Sequence, residues 1–77
     1  MLIGDRFSEA ITYGNLGSVF QSLGEYDRAE EYYKKALEIR KEISDVHGVA
    51  TDYRNLGTLF NSLCKYKKAQ IYAEKAL

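Results

Sequence analysis

The apolar positions of this chain fall on helical spacing. Tyr13, Leu16, Gly17, Phe20 and Leu23 recur at i, i+3, i+4, i+7 and i+10. That spacing places them on one stripe of a 3.6-residue period. Asp5 precedes the stripe and suits a helix N-cap. Gly24 follows it and suits the left-handed residue that ends a helix. A second stripe runs through Tyr26, Ala29, Tyr33, Ala36 and Leu37. The short break at Gly24-Glu25 makes the two predicted helices antiparallel neighbours. Small residues at Gly17, Ala29 and Ala36 let the backbones approach, and Tyr13, Phe20 and Tyr26 fill the space between.

The same pattern then returns. A shift of 40 residues pairs Asn15-Leu16-Gly17 with Asn55-Leu56-Gly57, Tyr13 with Tyr53, Phe20 with Phe60, and Ser22-Leu23 with Ser62-Leu63. It also pairs Tyr26 with Tyr66, Ala29 with Ala69, Tyr32 with Tyr72, and Lys35-Ala36-Leu37 with Lys75-Ala76-Leu77. Ile3, Asp5 and Ala10 fall on Ile43, Asp45 and Ala50 without a gap. One register from Ile3 to Leu37 marks an internal repeat. The second unit therefore predicts two more helices, one through Tyr53, Leu56, Gly57, Phe60 and Leu63, the other through Tyr66, Ala69, Tyr72 or Ala73, Ala76 and Leu77. Asp45 is the matching N-cap. Two residues conflict locally with this plan. Cys64 stands where the first unit has Gly24, and a non-glycine residue in the left-handed turn costs about 1 kcal/mol or more. Gly48 lies in the first turn of the third helix and weakens it by up to about 1 kcal/mol. Fraying is expected near both.

Composition bears on stability. Seventy-seven residues make one small domain, for which a core alone is marginal. A single cysteine, Cys64, excludes an internal disulfide, and a single histidine, His47, argues against a structural zinc. Eleven basic and eleven acidic residues cancel, which argues against a nucleic-acid domain. No apolar run nears the roughly 20 residues of a membrane span, and the N-terminus lacks signal-peptide architecture. The expectation is a cytoplasmic protein without membrane association. The absence of proline fits uninterrupted helices.

Tyr13-x-x-Leu16-Gly17-x-x-Phe20, Gly24-x-Tyr26-x-x-Ala29 and Tyr33-x-x-Ala36-Leu37 resemble the tetratricopeptide repeat (TPR) signature. Tyr13 stands where the family often has tryptophan. The second unit matches at Tyr53, Leu56, Gly57, Phe60, Tyr66, Ala69 and Ala76. It departs at Cys64 and at Ala73, where a bulky aromatic is common, and Lys41 replaces the usual proline. The period of 40 rather than 34 is similar to the long-repeat TPRs of Pins-type polarity scaffolds and kinesin light chains, and to long TPR arrays in invertebrate genomes. The resemblance implies an all-α fold: two helix-turn-helix repeats forming a fragment of a right-handed α-solenoid. Residues 1–4 align with the tail of a preceding repeat, 5–44 form repeat 1, and 45–77 form a truncated repeat 2. The register thus reads as a piece of a longer array, with an apolar face open at each end.

The resemblance also points to a concave face, lined by the first helix of each repeat, where peptides bind. Helical geometry turns Ile11, Gly14, Asn15, Ser18, Gln21 and Ser22 toward it in the first unit, and Thr51, Arg54, Asn55, Thr58, Asn61 and Ser62 in the second. Asn15, Asn55, Arg54, Ser18, Thr58, Gln21 and Asn61 are the candidate binding residues. An asparagine amide donates and accepts, so Asn15 and Asn55 can grip a peptide backbone; the alternative is a local bond or plain solvation. Arg54 can pair with an acidic ligand side chain or simply face water. Tyr32, Tyr33 and Tyr72 read as inter-repeat packing.

No catalytic constellation emerges. Cys64 reads as a turn thiol, His47 as a surface histidine, the carboxylates follow helix-surface spacing, and Gly14 and Gly17 lie inside a helical stripe rather than a phosphate loop. The expectation is no enzyme, cofactor or metal. Charge is uneven: residues 1–40 carry a net −2 and residues 41–77 a net +2. The acidic group is Glu25, Asp27, Glu30 and Glu31; the basic one is Lys65, Lys67 and Lys68. These are either a solvated surface or an aid to association of copies, end to end or by helix exchange. Two functional classes follow. One is a protein–protein interaction module holding a peptide or extended segment. The other is a self-assembling structural unit, natural or engineered, whose copies cover each other's open faces as a dimer or larger assembly.

Overall fold

Proline-free stripes separated by two short breaks give long helices joined by tight turns. The structure, a computed structural model, describes the backbone of residues 5–76 and the side chains of residues 5–65 and 67. Among these residues the chain forms α1 (Asp5–Ser22), α2 (Tyr26–Glu42) and α3 (Val46–Ala76). The tail assigned to residues 1–4 and the packing of Tyr66, Ala69, Tyr72, Ala73, Ala76 and Leu77 lie outside the described side chains.

Both turns close in the same way. After α1, the Gly24 N–H donates to the Gln21 carbonyl at 3.0 Å and the Glu25 N–H to the Phe20 carbonyl at 2.9 Å. This pair of bonds is a Schellman motif, and its left-handed residue is Gly24 at φ +80°. After α2, the Ser44 N–H donates to the Lys41 carbonyl at 3.2 Å and the Asp45 N–H to the Arg40 carbonyl at 2.9 Å. Here the left-handed residue is Ser44, at φ 57°. A Cβ in that region costs about 1 kcal/mol or more. Ser44→Gly is therefore expected to stabilise the protein by about 1 kcal/mol, read as a higher urea midpoint at unchanged m-value. An unchanged midpoint would show that the serine is unstrained there.

The expected third turn, at Cys64, is absent. Leu63 and Cys64 lie inside α3, which runs unbroken over 31 residues. At about 1.5 Å per residue that is roughly 46 Å of helix. The all-α, TPR-like class stands, but the two helices of the second repeat are run together. The reason is local. No glycine or proline follows Gly57, so turning at Cys64 demands an unfavourable left-handed residue. Continuing the helix adds one backbone hydrogen bond per residue.

α2 is the middle of the fold. Its Ala29, Tyr33, Ala36 and Ile39 are buried, together with Ala10 of α1 and Leu56 and Leu59 of α3. Ala29, Tyr33, Leu56 and Leu59 form one apolar cluster, with Phe20, Tyr26, Leu37 and Leu63 against it. Gly17 is a point of close approach between α1 and α2. A Cβ built there would lie 2.7 Å from two ring atoms of Tyr33. Beside it, the Tyr32 ring stacks between Tyr13 (centroids 5.9 Å apart) and Phe20 (5.3 Å). Tyr32 thus packs within the first repeat, and Tyr33 joins both neighbouring helices. Leu59, the largest fully buried apolar side chain, escaped the stripe reading because its equivalent, Val19, stands on the open side of α1, half exposed.

Candidate interaction site

The candidate residues sit on α1 and α3. Asn15, Ser18, Arg54, Thr58 and Asn61 are exposed, while Gln21 and Asn55 are half-buried. Ser18 and Gln21 are brought together at the α1–α2 seam. The Tyr33 hydroxyl donates to Gln21 Oε1 at 2.9 Å. Burial pushes the Tyr33 hydroxyl above its ordinary pKa, and a hydrogen bond with Ser18 partly offsets this. These two residues therefore help to hold the hairpin. No side-chain hydrogen bond ties Asn15, Arg54, Asn55, Thr58 or Asn61 to another described residue. Asn15, Arg54, Thr58 and Asn61 are open to solvent, and Arg54 is the one charged residue of the five.

A polar cluster that periodicity did not reveal locks α2 to α3. Arg40, in the last turn of α2, reaches over the start of α3. Its Nη1 donates to the Gly48 carbonyl at 3.2 Å and to Asp52 Oδ1 at 3.0 Å. Asp52 is wholly buried, and the Arg40 side chain is 12% exposed. Asp52 Oδ2 has no hydrogen-bond partner among the described residues. Burial is the dominant influence on this carboxyl and raises its pKa; Arg40 pulls it down and Asp45 pushes it up.

The glycine read as a weak point belongs to this cluster. Asp45 caps α3 as expected, with Oδ1 accepting the Gly48 N–H at 3.1 Å. A Cβ at Gly48 would lie 2.3 Å from Asp45 Oδ2 and 2.5 Å from Arg40 Cδ. Glycine is what lets the Arg40 side chain cross α3 here. The only sequence signal was that Asp52 faces Thr12 in the repeat, a charge where its partner unit has none.

The acidic and basic groups partly meet within one chain. Glu25, Tyr26, Asp27 and Arg28 of the first turn share an open cleft of about 510 Å³ with Leu63 and Lys67 of α3. The Lys68 side chain lies outside the described residues. His47 and Cys64 are exposed. Among the described residues no group of three or more His, Cys, Asp or Glu could hold a metal ion. No described helix is long and apolar enough to cross a membrane.

Two antiparallel helices closed on a glycine–tyrosine contact, followed by the first helix of a like unit, make a repeat architecture. A family model described as tetratricopeptide repeat matches residues 8–77. The chain belongs to the tetratricopeptide repeat family. TPR proteins generally mediate protein–protein interaction, and their repeats are typically non-catalytic interaction modules. The match to the TPR model does not distinguish among long-repeat subclasses. Comparison with curated proteins and with solved structures finds no match.

Proposed function

We propose that this TPR chain binds a peptide or extended protein segment along the polar faces of α1 and α3. The observation that carries this reading is the set of polar groups at Asn15, Arg54, Asn55, Thr58 and Asn61, four of them exposed and none hydrogen-bonded through its side chain to another described residue. Asn15 and Asn55 stand one repeat apart and offer the same donor–acceptor amide twice, which suits a repeating backbone. Half-burial restricts the Asn55 rotamers, so less side-chain entropy is lost on binding. Arg54 beside it suits an acidic residue in the ligand. Ser18 and Gln21 contribute less, because both are engaged with Tyr33. A cytoplasmic setting suits the single free thiol of Cys64.

The test is a peptide-array screen of the chain, followed by titration of the selected peptides. Asn55→Ala is expected to weaken binding roughly tenfold, as for one lost hydrogen-bonding group. Circular dichroism should be unchanged, since Asn55 bonds no described side chain. Full binding by this variant would remove the site.

A second reading, association of copies, is favoured by one observation. Tyr53 and Phe60 are 53% and 45% exposed, whereas their first-repeat equivalents Tyr13 and Phe20 are covered by Tyr32.

A further inference from the structure

Six residues line one face of α3, and all six are exposed. Val46, Ala50, Tyr53, Gly57, Phe60 and Cys64 follow one another in alternating steps of four and three. That is the spacing of a coiled-coil seam. Val46 is 76% exposed, and a Cβ at Gly57 would meet nothing within 4 Å. α2 takes a different face of α3, the one carrying Asp52, Leu56, Leu59 and Leu63. The first repeat shows such a seam covered. Its Ala10, Tyr13, Gly17 and Phe20 hold the equivalent positions. There the antiparallel α2 seats the Tyr33 ring on Gly17 and stacks Tyr32 against Tyr13 and Phe20. An antiparallel helix contact with a ring set on a small residue is therefore one this chain already makes.

The order of sizes along the seam identifies an occupant. Position 55 is the midpoint of 46 and 64, of 50 and 60, and of 53 and 57. When two such helices lie antiparallel about a two-fold axis at that position, Tyr53 faces Gly57, Phe60 faces Ala50, and Val46 faces Cys64. Every ring meets a small residue, no ring meets a ring, and the two-fold repeats each contact. We propose that two copies of this chain dimerise through this seam, residues 46–64 of one α3 lying antiparallel on those of the other. The pairing rests on the association of copies raised above and specifies its interface. It leaves the contact between α2 and α3 intact. Arg54, which forms no ion pair with a described residue, stands beside the axis in both copies.

Light scattering of the 77-residue chain over a wide concentration range, with oxidised glutathione as a mild oxidant, tests this. The expected mass is twice 8.8 kDa. In this dimer the two Cys64 residues stand about 27 Å apart along the helices, so wild type is expected to stay without a disulfide between copies. Val46→Cys, at the exposed first residue of α3, sets each new thiol against the partner's Cys64 and is expected to give a disulfide-linked dimer. Phe60→Gln, at an exposed helical position, is expected to raise the dimer Kd at least about a hundredfold with helix content kept, since two rings are lost per dimer. Added salt is expected to tighten the dimer, because the two Arg54 side chains repel across the axis. A monomer at every concentration overturns both this pairing and association itself. A dimer that loosens in salt, withstands Phe60→Gln and gives no disulfide in Val46→Cys overturns the pairing and leaves association standing.

Discussion

Asp52→Ala is expected to destabilise the protein by about 3 kcal/mol or more, the cost of breaking a buried ion pair by removing one partner. Arg40 cannot escape to water: its side chain is nearly covered, and its Nη1 remains tied to the Gly48 carbonyl. The variant leaves a buried guanidinium facing a hole. For a chain of this size the loss corresponds to a fall in melting temperature of roughly 12–24 °C. Asp52→Asn should cost less, because the amide fills the same space and its oxygen still accepts from Arg40, although the guanidinium loses its counter-charge. A melting temperature for Asp52→Ala within a few degrees of wild type would show that Arg40 is readily rehydrated.

The same pair gives a pH dependence whose sign follows from the raised carboxyl. Its pKa is higher folded than unfolded, so between the two values the folded state binds more protons. Stability from this group is complete below the unfolded pKa and is lost as pH rises through the folded one. Acidification into that window should stabilise wild type relative to Asp52→Asn, which has nothing to titrate there. Parallel melting curves with pH for the two proteins would show that Arg40 cancels the effect of burial, and a reversed difference that it outweighs it.

Gly17→Ala and Gly57→Ala, equivalent positions one repeat apart, are expected to act in opposite directions. At Gly17 the new methyl meets the Tyr33 ring, which is buried and held through its hydroxyl. Overpacking of about 3 kcal/mol, less about 1 kcal/mol of gained helix propensity, leaves a net loss of about 2 kcal/mol. At Gly57 nothing stands in the way, and helix propensity alone gives a gain of about 0.5–1 kcal/mol. Denaturant midpoints at low protein concentration read both. Equal losses at the two sites would mean that the second hairpin closes in solution as the first does.

The legibility of this chain follows from where each energy term lives. Helix faces and the first turn were readable because their causes are local: an apolar residue every 3.6 positions, and a glycine free to take φ +80°. The Gly17–Tyr33 contact was partly readable, as a small residue facing a large one. The Arg40–Gly48–Asp52 cluster was not, because each member taken alone is ordinary helix-surface chemistry. Only the angle at which α2 meets α3 makes it buried. Leu59 went unnoticed for a related reason: the repeat copies its position onto Val19, but only in the second unit is there a helix to bury it.

The sequence alone therefore determined the family, the period of 40, the helical class and the first hairpin, since all of these rest on spacing and single-residue preferences. Tertiary structure decided two further matters. It converted a buried charge and an apparently weak glycine into the lock between α2 and α3, because burial depends on what lies across the turn. It also drew the second hairpin out into one helix, because at Cys64 the cost of a left-handed residue competes with continued backbone hydrogen bonding. That competition depends on whether packing on the other side compensates for the turn. In the first repeat Tyr33 against Gly17 does so. In the second, Gly57 faces open space.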